Sequence, residues 1–177
     1  MPLRSRLSRS SSRILSTKWA RENGIAVVTV ADIRWKRPDI KSVALLPNVL
    51  AKQEAVARGG FEAWLVDEAG VVTEGSSTNA WIVAGGKLVT HPADTAILNG
   101  VTRLALLEIA AEQGLAVEER PFSIDEARAA DEAFLTSTTS FVLPVVKIDD
   151  APVGDGRPGA FTRTLVERYG GHLWRGE

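Results

Sequence analysis

The chain has 177 residues and a formal net charge of -1, with 45% hydrophobic and 24% charged residues, the balance of one ordinary soluble domain. Cysteine is absent and the only histidines are His91 and His172, which excludes disulfides and thiolate chemistry and leaves no zinc ligand set, so no metal is expected. No apolar run approaches the roughly 18 residues of a membrane span, and the expected location is cytoplasmic.

In chain order, residues 1–17 come first and read as an Arg/Ser-rich leader, MPLRSRLSRSSSRILS and the threonine that follows. Arg4, Arg6, Arg9, Arg13 and Lys18 fall within the first twenty residues with no acid among them, so the remainder carries an acidic excess. That balance argues against a nucleic-acid-binding surface on the folded part. The leader composition fits a disordered segment, a misassigned start or an organellar transit peptide. The domain itself is expected over 18–177, with order beginning near Gly24.

Ile25 to Val30 (IAVVTV) is β-branched and apolar, the pattern of a buried strand. Pro38 and Pro47 then bound an irregular path. Asn48 is expected to open a helix with apolar Val49, Leu50, Ala55 and Val56, stopped by Gly59 and Gly60. Phe61–Asp67 and Val71–Thr73 predict two strands around a turn, and Ala80–Val83 with Lys87–Thr90 a hairpin. A helix follows Gly100 and ends at Gly114; Leu115–Glu119 is a strand; Ser123 or Asp125 caps a short helix. Glu132–Thr136 and Val142–Ile148 are strands flanking hydroxyl residues, and a helix over Ala160–Tyr169 closes the chain. The fold class is α/β mixed (α+β), in one domain.

Four features could carry chemistry. Lys41, between Ile40 and Val43, is either a partly buried amine able to form a Schiff base or a surface lysine with its stem on apolar neighbours. Glu74 is either a carboxylate for a protonated ring nitrogen or an exposed strand-end acid. Gly100, Val101 and Thr102 open a helix whose free N–H groups suit a phosphate, or form a plain N-cap. The run from Thr136 to Ser140, Ser137 and Thr138 included, offers hydroxyls to an anion or to an ordinary turn.

The segments DIRWKRPDIKSVALLPNVLAKQEA, VVTEGSSTNAWIV, THPADTAILNGVTR and FLTSTTSFVLPV, in this order and spacing, resemble the D-amino acid aminotransferases of pyridoxal-phosphate fold type IV. The resemblance runs from near Lys18 through nearly all of the remaining chain. It implies the large, cofactor-binding C-terminal domain of that fold, with pyridoxal 5'-phosphate carried on Lys41. By the same resemblance Glu74 pairs with the pyridine nitrogen and Leu98 packs on one ring face. Gly100, Val101 and Thr102 mark the helix start whose backbone amides bind the phosphate, while Ser137 and Thr138 stand in the phosphate-binding hydroxyl segment. Ser77 is a polar neighbour of cofactor and lysine.

The implied activity is transamination between D-amino acids such as D-alanine and 2-oxo acids such as 2-oxoglutarate. The implied partners are those small molecules and, in a full-length form, a second subunit of a homodimer. Branched-chain L-amino acid aminotransferases and aminodeoxychorismate lyases share the Lys, Glu and GVTR-like elements and are the same-fold alternatives. A catalytically incompetent remnant is the non-enzymatic one. Two departures bear on activity. The family's small N-terminal domain, which supplies a phosphate-binding arginine, has no counterpart in this sequence, so impaired turnover is expected. Phe141 also stands where a glutamate is frequent.

Overall fold

Strand β1 (Ile25–Ala31) pairs in parallel with β2 (Glu62–Val66) on one side and with β8 (Phe141–Ile148) on the other. The computed structural model that gives this arrangement describes residues 18–173, with side chains through 171. The leader expected over 1–17 and the side chain of His172 lie outside the described residues.

The sheet has nine strands in the order β3-β2-β1-β8-β7-β4-β5-β6, with β9 (Ala151–Pro152) added to β8. Here β3 is Val72–Gly75, β4 Asn79–Ala84, β5 Lys87–Thr90, β6 Val117–Glu119 and β7 Glu132–Ser137. Only 76–78 separate β3 from β4 in sequence, yet five strand spacings separate them in the sheet. A flat sheet would hold them about 24 Å apart, whereas the link from Gly75 to Asn79 reaches at most about 14 Å. The sheet therefore curls until β3 approaches β4, which brings the end of one strand and the start of the other to a common rim.

Both faces of the curled sheet are covered, and side chains alternate between them. Ala80, Ile82, Ala133, Leu135, Leu143 and Val145 point into an inner core with Trp64 and Phe122. Trp81, Val83, Phe134 and Val142 point outward, beneath Leu106 and Ile109 of α3 (Val101–Glu112) and Leu165 and Tyr169 of α5 (Ala160–Leu173). Burial on both faces explains why the central strands read as continuous apolar runs rather than as alternating ones.

Helix α2 (Leu46–Ala57) corrects the expected start at Asn48. It begins before Asn48, with Pro47 inside its first turn, where a proline loses no intrahelical hydrogen bond. Its sheet-facing residues are Ala51 and Ala55, packed on Val28, Ala63 and Leu65, whereas Leu46, Val49, Leu50 and Val56 are exposed. The small side chains let the helix lie close to β1 and β2, and the larger apolar ones face outward. Order also begins earlier than Gly24: residues 18–23 form a short helix, α1, whose Ala20 joins the inner core. One small buried side chain gives no periodic pattern from which that helix could be read. The short helix α4 (Ile124–Ala129) is capped by Ser123, whose Oγ accepts the Glu126 N–H at 3.1 Å.

Candidate cofactor site

The rim where β3 meets β4 collects most of the residues singled out above. Glu74, near the end of β3, is buried rather than an exposed strand-end acid. Its carboxylate is surrounded by donors. Arg34 Nη1 donates to Oε1, Asn79 Nδ2 donates to Oε2 at 3.1 Å, and the Leu98 N–H reaches both oxygens at 3.2 and 3.1 Å. Burial pushes the Glu74 carboxyl up to about 7, and the Arg34 guanidinium opposes that rise.

Asn79, the first residue of β4, joins three of these positions. Besides Glu74, its Nδ2 donates to the Leu98 carbonyl at 2.8 Å. Its Oδ1 lies only 2.5 Å from where a Cβ on Gly100 would stand. Glycine is thus required at Gly100 for close approach rather than for an unusual backbone angle, since its φ is an ordinary -68°. Gly100 is the N-cap of α3 and offers no side-chain cap, so the first N–H groups of the helix, those of Val101 and Thr102, are left for another acceptor. Thr102 Oγ1 is buried and has no hydrogen-bond partner among the described residues. Buried hydroxyls are almost always paired.

The hydroxyl run reaches the same rim. Asn79 pairs with Thr136 across β4 and β7, so Ser137 and the turn 138–140 follow directly. Ser137 Oγ accepts the Ser140 N–H at 3.1 Å, an ordinary turn bond, and Thr138 is exposed at the tip. Phe141 follows with φ 60°, its ring 5.6 Å from that of Tyr169 and under the Arg21 guanidinium of α1.

Ser77, in the link between β3 and β4, is exposed and its hydroxyl donates at 2.9 Å to Glu62 Oε2, a buried carboxylate of β2. Glu62 is also bonded by the Ser76 hydroxyl, which ties the β3–β4 link to β2. Lys41 is exposed, the surface position that the sequence left open beside a partly buried one. It lies in the loop 32–45, which touches the site at Arg34; beyond the loop, Asn48 of α2 donates to the Ser76 carbonyl at 2.8 Å. Sequence reasoning missed Asp32, Arg34 and Asn79. Arg34 is buried among Asp32, Glu74 and Thr73, and an arginine between isoleucine and tryptophan in DIRW was the available signal. Arg103 proved to be a buried structural residue, donating to Asn99, the His91 carbonyl and Glu119.

Among the described residues, no cluster of His, Cys, Asp or Glu could hold a metal ion, and no helix is long and apolar enough to cross a membrane.

Residues 7–148 match the family model described as amino-transferase class IV. The chain is 45% identical over 144 residues to the D-alanine aminotransferase of Bacillus licheniformis, covering 81% of this chain and 50% of that protein. It is 47% identical over 148 residues to the D-alanine aminotransferase of Staphylococcus aureus (strain MSSA476), covering 84% and 52%. Among solved structures, the PLP-form of the branched-chain amino acid aminotransferase from Thermobaculum terrenum superposes with a TM-score of 0.78 at 31% identity, covering 86% of this chain and 52% of that one. The branched-chain aminotransferase from Thermoproteus uzoniensis with norvaline gives 0.72 at 30% identity, covering 85% and 52%. This chain spans about half the length of the relatives it matches. A family match over most of the chain, together with a shared fold, makes it a member of the class IV aminotransferases.

Proposed function

We propose that this chain forms the pyridoxal-phosphate-binding part of an aminotransferase that exchanges amino groups between D-amino acids, such as D-alanine, and 2-oxo acids, such as 2-oxoglutarate. The observation that carries the reading is the pairing on one rim of a buried, donor-ringed Glu74 with an uncapped helix start at Gly100, bridged by Asn79. A ring nitrogen and a phosphate tail need those two things. The unpartnered Thr102 hydroxyl fits the same group, because a phosphate oxygen would supply its missing acceptor.

When bound, pyridoxal phosphate supplies a carbonyl for amine exchange and an electron sink for the substrate's Cα. The chain's own residues do the rest. Glu74 would accept a hydrogen bond from the protonated ring nitrogen, and Asn79 with the Leu98 N–H keeps its carboxylate in place. The N–H groups of Val101 and Thr102 and the Thr102 hydroxyl hold the phosphate, with the α3 dipole adding to their attraction. Ser137 and Thr138 close the phosphate side, and Leu98 backs the ring. The Lys41 amine would carry the cofactor and, once the incoming substrate amine has displaced it, would be free to take the substrate's α-proton as a general base. Lys41 lies in the loop 32–45, which Arg34 anchors at Glu74.

Covalent capture tests this directly. After incubation with pyridoxal phosphate and reduction by borohydride, peptide mapping is expected to find the added mass on Lys41. In Lys41→Ala the capture should disappear. Label spread evenly over exposed lysines such as Lys18, Lys36 and Lys147 would overturn the assignment.

Donor specificity is a separate measurement. Identities of 45–47% to D-alanine aminotransferases favour a D-amino acid donor. The branched-chain enzymes among the solved structures support the second reading, an L-branched-chain donor, at 30–31%. Parallel assays with D-alanine and L-leucine, each with 2-oxoglutarate, separate the two.

A further inference from the structure

We infer that Asp32 and Arg34 act as positioning residues that set both the orientation and the net charge of Glu74 toward the ring nitrogen; this rests on the reading of Glu74 given above. Arg34 is gripped at two points by Asp32, Nε to Oδ1 at 2.9 Å and Nη2 to Oδ2 at 2.7 Å. Such a fork-to-fork pair locks the guanidinium plane. Thr73 Oγ1 donates to Asp32 Oδ2 at 2.9 Å, and Arg34 Nη2 also donates to the Ala96 carbonyl at 3.2 Å. Nη1 is thereby left with one direction to point, onto Glu74 Oε1.

Two consequences follow for Glu74. Its neighbours at hydrogen-bond distance are all donors, so a protonated carboxyl would put a hydrogen against groups that cannot accept it. Arg34 and the Leu98 N–H reach Oε1 while Asn79 and the same N–H reach Oε2, so the carboxylate is held from both sides and Arg34 fixes its Oε1 edge. The charges also balance. Two carboxylates and one guanidinium leave one negative charge in sum, which a ring N–H⁺ neutralises. Without Asp32, Arg34 would already neutralise Glu74, and a protonated ring beside them would be an unpaired buried cation. Without Arg34, burial would hold Glu74 protonated at neutral pH, as a donor facing a ring nitrogen that must itself donate. Asp32 thus leaves the cluster its negative charge, and Arg34 opposes the rise that burial imposes on Glu74.

The test uses the 177-residue chain labelled with ¹³C at glutamate carboxyl carbons, with Glu74→Gln assigning the resonance. In the ligand-free chain the Glu74 midpoint is expected near 7. It should rise by at least about one pH unit in Arg34→Met, a tenfold change in proton affinity. In Arg34→Lys it should return most of the way, and in Asp32→Asn it should fall. With ¹⁵N-labelled pyridoxal phosphate bound, Asp32→Asn should let the ring nitrogen lose its proton at a pH about one unit lower. Circular dichroism identifies variants that fold; if Arg34→Met does not, the Lys and Asn variants carry the test. A Glu74 midpoint unmoved in every folded variant overturns the clamp. Midpoints that move while the bound ring nitrogen stays indifferent to Glu74→Gln leave the clamp on Glu74 intact and overturn the reading of Glu74 as the ring's partner.

Discussion

A Cβ added at Gly100 would stand 2.5 Å from Asn79 Oδ1, the side chain that also holds Glu74 and the Leu98 carbonyl. The start of α3 and the strand end bearing Glu74 are thus in contact through one amide, and neither can shift without the other. Gly100→Ala must displace Asn79 and break its two hydrogen bonds. The expected result is a loss of about 1–3 kcal/mol in urea unfolding, with weaker capture of pyridoxal phosphate on Lys41. Asn79→Ala in the Gly100→Ala background should cost little more, because the same contacts are already lost.

Thr102 offers a test with opposite signs in two measurements. Its hydroxyl is buried without a partner among the described residues, so Thr102→Val removes a desolvated polar group at nearly constant volume. The ligand-free chain should be unchanged or more stable by up to about 1 kcal/mol. Pyridoxal phosphate affinity, followed by fluorescence titration, should fall roughly tenfold for the lost charge-assisted bond. A fall in both would mean that the hydroxyl stabilises the fold itself.

The pH dependence of stability carries a signature of Glu74. Its folded value, about 7, lies above the ordinary 4.5 because burial penalises the charged form. The stability it contributes is therefore fully present below pH 4.5 and is lost as pH rises through 7. The size is about 3 kcal/mol. Glu74→Gln cannot ionise, so its urea midpoints should stay flat over the interval where the parent chain weakens.

Asp149 behaves in the opposite sense. It accepts the Thr29 N–H at 2.9 Å and the Thr29 hydroxyl at 2.8 Å, along with Arg58 at 3.1 Å and Arg128 at 2.7 Å. One carboxylate joins β1, α4, the end of β8 and the residue that follows α2. Burial works against its charge, but the Thr29 bonds and Arg128 outweigh it and hold the carboxyl below its usual range. The stabilisation is present above pH 3.8 and lost as pH falls through the lowered folded value. Asp149→Asn tolerates the local φ of 51°. It should cost about 1.5–3 kcal/mol at pH 7, with the difference from the parent chain closing in strong acid.

Leu46 and Val49 are 68% and 58% exposed on the outward face of α2. Contiguous exposed apolar surface of this kind binds environment-sensitive dyes. Replacing both by glutamate should reduce the dye signal while moving the urea midpoint little, since neither side chain is in the core.

The local alphabet of this fold was legible in the chain. β1, β4, β5, β7 and β8 announce themselves as apolar runs between turn residues, and α3 is bracketed by Gly100 and Gly114, because these signals arise from contacts within a few residues. Helix α2 shows the limit. Of the apolar residues read there, Val49, Leu50, Ala55 and Val56, only Ala55 is buried, with Ala51 beside it, and which face turns inward depends on how closely the sheet must be approached. Family membership, too, was readable, since it rests on the order and spacing of motifs.

The candidate site was legible only in part. Lys41, Glu74, Leu98 and Gly100 stand in recognisable segments, but Asp32, Arg34 and Asn79 became visible only when the sheet curled and set residues some forty positions apart within hydrogen-bond reach. The same folding sent the Ser77 hydroxyl to Glu62. Sequence alone determined which groups were available and which stretches would become strands and helices, because those are properties of neighbours along the chain. Tertiary structure decided which carboxylate is buried, what charge it carries and which donors surround it, because desolvation and hydrogen bonding act through space between strands whose pairing no short segment encodes.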